Sequence, residues 1–475
     1  MKKKIILYAR AGQTKLYPLI AKNLNTYNYC YIVQNDKEER EVRYLEKDGL
    51  INIYNITSFI SNNWKNESYL SIDLSNFEKE YKIDSLWGLF YVDRFLVEYS
   101  YPDAVKLIKL HIAFIKLILE KEKPDYFVNE EIALFFPFLF AKVSVKQNCK
   151  YIGFSVPKNF AYSKTLFKDE NGQYPQLNKI YYNRNITAEE LVIAENTLEN
   201  IVLSKEKPEY MLKSGKKPQL SIRDLYRISK YVFSFFNKKN HLDYEGRNIK
   251  QYYVENSLFY FRQLKQRSFF KKPNFNDKYI LYPLHYTPEA TTLVSASFYE
   301  KQLIIIDFLA KSIPGDTILY VKEHYARLGH KPTSFYRQIT KKYPNVKLID
   351  PWSDSFKIIE KSQAVAVLTS TAGWEALICQ KPVIIFGDVF YDKFKYAHKI
   401  DLISNRTLAK DIKHALETKI DKQIYNEEFN YFFASYLKAM KNGNYCLGQN
   451  DYLNVSNVDE LSKSLLEYLE EVPFL

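Results

Sequence analysis

The chain has 475 residues, of which 46 % are apolar and 16 % aromatic, and it carries a formal net charge of +13. This length suits two or three domains with sizeable cores, and the composition excludes an intrinsically disordered protein. The four cysteines lie far apart without zinc or redox spacing, which predicts free thiols in a reducing compartment. No run reaches the ~18 apolar residues of a membrane span, and the apolar run after the first lysines is too short for a signal peptide. We therefore expect a soluble, cytoplasmic protein.

The first part of the chain alternates predicted strands with predicted helices. The strands are expected at 3–9, Tyr29–Val33, Tyr126–Val128 and Tyr151–Ser155, and the helices at Leu16–Leu24, Ala104–Leu119 and 132–146. Residues 40–100 mix short strands with Tyr-rich helices and resist assignment. Alternation of this kind is typical of parallel sheet, so residues 1–184 are predicted to form a Rossmann-like domain.

A basic, mainly helical segment is predicted to connect this domain to the next over residues 185–275. From 205 to 272 it contains 17 Lys and Arg against 6 Asp and Glu, with aromatic residues between the charges. The pattern fits either amphipathic helices with a solvated basic face or a surface that binds anionic membrane. No nucleic-acid motif is visible, so no nucleic-acid partner is expected.

Residues 276–404 are predicted to form a second Rossmann-like domain, followed by helices over 405–475 that pack back across both domains. Its strands are expected at Tyr279–Leu284, Ile318–Val321, Val346–Ile349, Ala364–Leu368 and Val383–Phe386, with helices at 297–311, 333–343, Asp354–Lys361 and Trp374–Gln380. Ligands of open α/β sheets bind at the carboxyl ends of the strands. The polar residues after these strands are therefore the candidates for a binding site.

One strand end has the pattern of a phosphate site. The strand Ala364–Leu368 runs through Ser370, Thr371, Ala372 and Gly373 into a helix, and such a junction offers backbone N–H groups and the positive end of a helix dipole. Glu375 lies one turn beyond Thr371 on the same helix face, where it could bind a pair of ribose hydroxyls. The alternative is that Ser370 only caps the helix and Glu375 is solvated.

Two other strand ends carry residues capable of chemistry. His285 and Glu289 follow one predicted strand, and Lys322, Glu323 and His324 follow the next. Since the carboxyl ends of parallel strands share one edge of a sheet, these residues are predicted to converge on the phosphate site.

From Tyr282 to Asp392 the chain resembles bacterial capsular polysaccharide biosynthesis proteins, a group that includes the Kdo transferases of capsule assembly. The resemblance is carried by PLHYTPEATTL, VKEH followed by Gly329, PNVKLIDPWSDS, TSTAGWEAL and KPVIIFGDVFYD. It implies a GT-B glycosyltransferase, an α/β protein of two Rossmann-like domains with a helical connector and C-terminal helices. In that family the donor nucleotide binds the C-terminal domain, and the acceptor binds mostly the N-terminal one.

The resemblance also implies roles for individual residues. Related GT-B enzymes that use CMP-sugars carry a His-Pro pair and a Ser-Ser/Thr pair at the donor phosphate. Ser370 and Thr371 match the second pair, and His324 matches the first, although Tyr325 replaces its proline. A CMP-sugar such as CMP-Kdo or CMP-sialic acid is therefore the favoured donor, with a UDP-sugar as the alternative.

The expected mechanism assigns the remaining residues. His324, helped by Lys322, offsets charge on the leaving nucleotide, and Glu375 binds ribose. A carboxylate of the first domain deprotonates the acceptor, and Glu130 is the first choice and Glu131 the second. The alternative is that either is only an acidic residue at a helix start, favoured there by the helix dipole.

Arg10 and Gln13 are expected on the acceptor side of the site. No Asp-x-Asp motif occurs in the donor region, so neither a metal nor another cofactor is expected. Inversion at the anomeric carbon is favoured by family analogy.

Two other kinds of function remain open from the sequence. One is a different enzyme of the same fold, namely a polyol-phosphate transferase or a nucleotide-sugar epimerase. The other is a glycan-binding or scaffold subunit of a capsule assembly complex, which would have no reason to bind a nucleotide.

Overall fold

The computed structural model describes residues 2–46, 51–96, 99–160, 163–204, 262–402, 407–418, 421–447 and 451–471. Within them the chain divides into two compact units. The first unit contains the described residues up to 185 together with those from 435 onward, and the second contains the described residues from 186 to 434. Most of the predicted basic segment, residues 205–261, lies outside the described residues.

The first unit is built on a mostly parallel sheet. Its strands, numbered along the whole chain, are β1 (Lys4–Tyr8), β2 (Asn28–Val33), β3 (Ile53–Asn55), β4 (Tyr126–Glu130), β5 (Lys150–Ser155), β6 (Lys164–Lys168) and β13 (Lys441–Asn442). They are ordered β13-β6-β5-β4-β1-β2-β3, so the chain order reverses between β1 and β4. Strands β5, β4, β1, β2 and β3 pair in parallel. Strand β6 pairs antiparallel with β5, and β13 pairs antiparallel with β6.

Helices surround this sheet. They are α1 (Gln13–Asn23), α2 (Asp36–Glu46), α3 (Ile56–Asn63), α4 (Glu67–Leu70), α5 (Leu74–Tyr81), α6 (Leu86–Phe90), α7 (Tyr101–Glu122), α8 (Phe135–Val145), α9 (Pro175–Tyr182) and α18 (Val455–Glu471). The apolar residues of β1 and β4 are fully buried, as expected for central strands covered on both faces. Helix α18 packs on the same core through Leu461 and Leu465.

The second unit has a six-stranded, entirely parallel sheet within the described residues. Its strands are β7 (Tyr279–Pro283), β8 (Ile318–Lys322), β9 (Val346–Ile349), β10 (Ala364–Val367), β11 (Val383–Ile385) and β12 (Ala397–Lys399). The order is β12-β11-β10-β7-β8-β9, so the order of the strands along the chain also reverses in this sheet, between β10 and β7. The order is that of a doubly wound Rossmann-type sheet.

The first described helix of the second unit precedes its strands, and the other helices lie between or after them. These helices are α10 (Ala188–Ser204), α11 (Ala290–Leu293), α12 (Gln302–Ser312), α13 (Thr333–Lys342), α14 (Ser355–Lys361), α15 (Thr371–Ile378), α16 (Leu408–Glu417) and the first part of α17 (Lys422–Ala439). The prediction of an α/β chain with two Rossmann-like sheets is thus confirmed. Among the described residues, no helix combines the length and the apolar character needed to cross a bilayer.

Several details differ from the sequence prediction. Strands β6 and β12 were not predicted, and the helix expected at 297–311 begins at Gln302. The helix expected from Trp374 begins at Thr371 instead, because Ser370 provides the N-cap. The C-terminal region, predicted to be helical throughout, contains the short strand β13, which pairs with β6. A two-residue strand carries too little sequence pattern to be recognised, because its partner across the sheet supplies the hydrogen bonds that define it.

Candidate functional site

At the reversal point of the second sheet, where the strand order reverses between β10 and β7, a hydrogen bond joins the ends of these two strands. His285 follows β7 and Thr369 follows β10, and the Thr369 N–H donates to His285 Nε2 at 3.0 Å. Gln302 holds the His285 backbone from both sides, accepting from its N–H at 2.7 Å and donating to its carbonyl at 3.0 Å. Burial lowers the pKa of His285 to about 3. The ring is therefore neutral, and it fixes the position of the loop that starts α15.

The start of α15 has the predicted strand-to-helix geometry. Ser370 is the N-cap, and its Oγ accepts from the Ala372 N–H at 3.2 Å while keeping its own proton to donate. Thr371 and Ala372 are partly exposed. Gly373 is buried against Tyr391, whose hydroxyl donates to the Ser370 carbonyl at 2.6 Å. A Cβ at Gly373 would overlap that hydroxyl, so this glycine is required by packing.

A lysine and a glutamate of opposite charge lie beside this loop. Lys322, the last residue of β8, is buried and donates through Nζ to the Pro351 carbonyl at 2.8 Å. Burial lowers its pKa to about 8, with the charges of Asp350, Glu323 and Glu375 opposing the shift. Burial also raises the pKa of Glu375 to about 7, against the effect of Lys322. Glu375 is partly exposed on α15, and its predicted part in ribose binding stays a prediction.

His324 follows directly on the same strand. Its ring stacks on Tyr325 with the centroids 4.6 Å apart and the planes inclined by 28°. Burial lowers the pKa of His324, and the neighbouring Glu323 carboxylate opposes that shift. Tyr325, at the position where the resemblance implies a proline, thus contacts the histidine directly.

Glu289 has a different place from the other predicted residues. It is exposed and caps the four-residue helix α11, where its N–H donates to Thr292 Oγ1 at 3.3 Å and its carboxylate accepts from Thr291 at 3.1 Å. These contacts describe a helix cap, and its predicted part in donor binding stays a prediction.

The reversal point of the first sheet also brings predicted residues together. Gln13, in the first turn of α1, donates through Nε2 to Glu130 Oε2 at 2.6 Å. Arg10 Nη1 lies 4.0 Å from Glu130 Oε1. Because β1 and β4 are parallel neighbours, the turn after β1 and the end of β4 meet at one edge. Burial raises the pKa of Glu130, with Arg10 and Gln13 opposing the shift.

Glu131 differs from its neighbour because it forms an ion pair with Lys168 of β6. Burial alone would raise the pKa of Glu131, but the Lys168 ammonium holds it below the usual value. Among the described residues, no group of three or more His, Cys, Asp or Glu side chains is arranged to hold a metal ion.

Sequence reasoning missed Gln302, which fixes His285. It named Glu323 in the cluster with Lys322 and His324 but gave it no role. The structure shows Glu323 fully buried between Lys331 and Tyr336.

Comparisons with known proteins give one strong and several weak similarities. No curated protein sequence matches the chain. KpsC of Thermosulfurimonas dismutans, a beta Kdo 2,7 transferase, is 14 % identical with a TM-score of 0.39, covering 82 % of this chain and 98 % of that one. A second KpsC structure, the beta Kdo 2,4 transferase, is 14 % identical with a TM-score of 0.38, covering 71 % and 88 % of the two chains.

The UDP-GlcNAc 2-epimerase of Methanocaldococcus jannaschii is 14 % identical with a TM-score of 0.25, covering 88 % of this chain and 94 % of that one. These similarities are too weak to establish a shared activity. The strong match is to the family model described as capsule polysaccharide biosynthesis protein, over residues 182–437. That range is more than half of the 475 residues, and it contains every predicted donor-site residue. The chain therefore belongs to the capsule polysaccharide biosynthesis protein family.

Proposed function

We propose that this protein is a glycosyltransferase that moves a sugar from a nucleotide-sugar donor to a growing capsular or surface glycan. The observation that supports it is the polar cluster at the reversal point of the second sheet, in a chain of a capsule biosynthesis family. A CMP-sugar is the favoured donor, and a UDP-sugar is the alternative. Transfer is proposed to invert the anomeric carbon and to need no metal.

The donor half of the mechanism uses the second unit. The donor phosphate binds at the start of α15, where Ser370 and Thr371 donate hydrogen bonds and the helix dipole favours negative charge. When the bond between the anomeric carbon and the phosphate oxygen breaks, the oxygen leaves with the nucleotide. Lys322 and His324 offset the charge that develops there. Glu375 binds the ribose hydroxyls.

The acceptor half uses the first unit. The acceptor hydroxyl oxygen forms the new bond to the anomeric carbon, and its proton passes to Glu130. Arg10 and Gln13 hold the Glu130 carboxylate and contact the acceptor. Glu130 is a better base than Glu131 because its pKa is raised, whereas Lys168 holds the pKa of Glu131 down.

A partner surface completes the proposal. Capsule glycans built on lipid carriers would require a cytoplasmic enzyme to reach the membrane, and the basic segment 205–272 is proposed to bind its anionic lipids. The protein would then be peripheral on the inner face of the cytoplasmic membrane.

A thermal-shift screen with CMP, CDP, UDP and GDP in the presence of EDTA tests the donor site. A ligand present at about 100 times its Kd stabilises the folded state by roughly 2.7 kcal/mol, so we expect the cytidine nucleotides to raise Tm. Glu375→Gln should reduce that rise, because an amide binds ribose hydroxyls less strongly than a carboxylate.

No rise with any of the four nucleotides would contradict the proposal. A rise that disappears in EDTA and returns with Mg²⁺ would contradict its metal-free part.

A further inference from the structure

The loop of residues 324–332, here called the His324 loop, is tied at both ends to one buried carboxylate. Glu323, which precedes the loop, has no exposed surface. Its Oε1 accepts from the His324 N–H at 2.9 Å, and its Oε2 accepts from Lys331 Nζ at 2.8 Å. Tyr336 donates its hydroxyl to the same Oε2 at 2.6 Å. The first residue and a late residue of the loop thus share one acceptor group.

A second buried side chain holds the middle of the His324 loop. Gln266, also without exposed surface, accepts from the Gly329 N–H at 2.9 Å and donates to the Lys331 carbonyl at 2.8 Å. Arg327 of the loop lies 3.8 Å over the Tyr286 ring. The loop therefore has anchors at its start, its middle and its end.

The charge of Glu323 makes these anchors mutually dependent. A carboxylate without water is strongly destabilised unless it is paired and hydrogen-bonded. Any other arrangement of the loop would withdraw the Lys331 ammonium or the His324 N–H and leave the charge unsatisfied. The buried charge thus favours the loop conformation in which all three donors reach it.

The residue at position 325 explains why the loop needs these contacts. Proline at that position would itself fix the backbone φ near −65°. Tyr325 supplies no such constraint, so the backbone around His324 must be held by contacts instead. The bond from the His324 N–H to Glu323 and the stacking of Tyr325 on the His324 ring are those contacts.

We propose that Glu323 is a positioning residue that fixes the His324 loop and thereby sets the place of the His324 ring in the donor site. This inference rests on the proposed function for the role of His324. It adds a residue that touches no ligand and acts through the backbone of its neighbour.

The test compares Glu323→Gln with Asp277→Asn. Asp277 is a matched control, because it is also a carboxylate of the second unit that accepts from a lysine, Lys347 at 2.6 Å, and from a tyrosine, Tyr320. It lies before β7, at the opposite edge of the sheet from His324. We expect Glu323→Gln to weaken CMP binding about 10-fold, as loss of a supporting partner commonly does. Asp277→Asn should leave the CMP Kd within about twofold of wild type.

A second readout needs no ligand. The NMR signals of the His324 ring, assigned by their loss in His324→Ala, are titrated in the free protein. Glu323 raises the pKa of this ring, so Glu323→Gln should shift its titration to lower pH by loss of charge alone. The positioning role is read from the resonances of the neutral ring, well above its pKa, which should move as the ring leaves its place on Tyr325. Asp277→Asn should change neither. Tyr336→Phe removes one donor from Glu323 but leaves its charge, so it should move the resonances of the neutral ring without that loss of charge. It serves if Glu323→Gln does not fold.

The outcomes separate the two ideas. If wild-type protein binds no nucleotide while Glu323→Gln moves the resonances of the neutral His324 ring, the proposed function fails and the positioning role stands. If the neutral His324 ring keeps its wild-type resonances in both Glu323→Gln and Tyr336→Phe, the positioning role is overturned whether or not CMP binds.

Discussion

Two adjacent carboxylates in the first unit have opposite electrostatic environments. Glu130 is held by the neutral amide of Gln13 and by Arg10 at 4.0 Å, and burial raises its pKa. Glu131 is paired with Lys168, which lowers its pKa. A general base needs a pKa close enough to the working pH to accept a proton, so the two residues are not equivalent.

We expect Glu130→Gln to reduce donor turnover by about 10²-fold or more, the usual contribution of a general base. In wild type the rate should fall as the pH is lowered through the raised pKa of Glu130, because the protonated carboxyl cannot accept the acceptor proton. Nucleotide release, measured against pH with an acceptor glycan present, checks both statements.

The neighbouring carboxylate serves as the control. Glu131→Gln should lower Tm, since it leaves the Lys168 ammonium without its carboxylate partner. Turnover of the folded variant should keep an acid limb, displaced to lower pH because the Glu131 charge contributes to the raised pKa of Glu130. Equal losses of turnover in the two variants would argue against Glu130 as the base.

At the scale of elements, the junction of β10 and α15 is constrained by packing as well as by its candidate ligand. Trp374 of α15 is 1 % exposed and packs against Phe390, Phe429 and Phe433. Gly373 lies against Tyr391 on the neighbouring turn, so the helix cannot move away to admit a larger side chain.

Gly373→Ala should therefore destabilise the protein by about 1–3 kcal/mol, the usual cost of overpacking. Gly88→Ala in α6 is the control, because a Cβ there meets nothing within 4 Å. It should be neutral or stabilising by up to about 1 kcal/mol, since alanine favours helix over glycine. Urea unfolding measures both, and equal destabilisation by the two changes would show that loss of glycine, not contact with Tyr391, is responsible.

The elements that carry the site were predictable, and the contacts that hold it were not. Buried strands such as Ala364–Val367 show continuous apolar runs, and the polar residues after them mark the carboxyl ends. His285, by contrast, reaches Thr369 across 84 residues of sequence, and Glu323 reaches Tyr336 across 13. Such pairings depend on strand order, which the periodicity of a single strand does not encode. The predicted family is confirmed by the match over residues 182–437.

At the scale of the whole molecule, the net charge of +13 is concentrated in one stretch, since residues 205–272 carry 17 Lys and Arg against 6 Asp and Glu. Each basic residue that reaches an anionic bilayer contributes about 1 kcal/mol, and the attraction is screened by salt. We expect the protein to co-sediment with anionic liposomes at low salt and much less with neutral ones. The four changes to glutamine that should weaken this binding are at Lys216, Lys217, Lys238 and Lys239.

The control removes the same charge elsewhere, from exposed lysines of the second unit, by changing Lys341, Lys361, Lys410 and Lys413 to glutamine. This variant should bind liposomes almost as wild type does. Equal binding to neutral and anionic vesicles, or equal loss in both variants, would mean that the basic stretch is only a solvated helical face.

The first unit is discontinuous along the chain, and this affects how the protein is made. Lys164 of β6 bonds to Asn442 of β13, which follows 278 residues later, and Tyr445 stacks on Phe154 with the rings 4.4 Å apart. At a synthesis rate of about 5–20 residues per second, the ribosome delivers β13 roughly 15 to 55 seconds after its partner strand. During that interval the nascent first sheet ends in an unpaired edge at β6, and the Phe154 ring lacks the stacking contact with Tyr445. The second unit emerges whole in between, so it can fold before the first unit is finished.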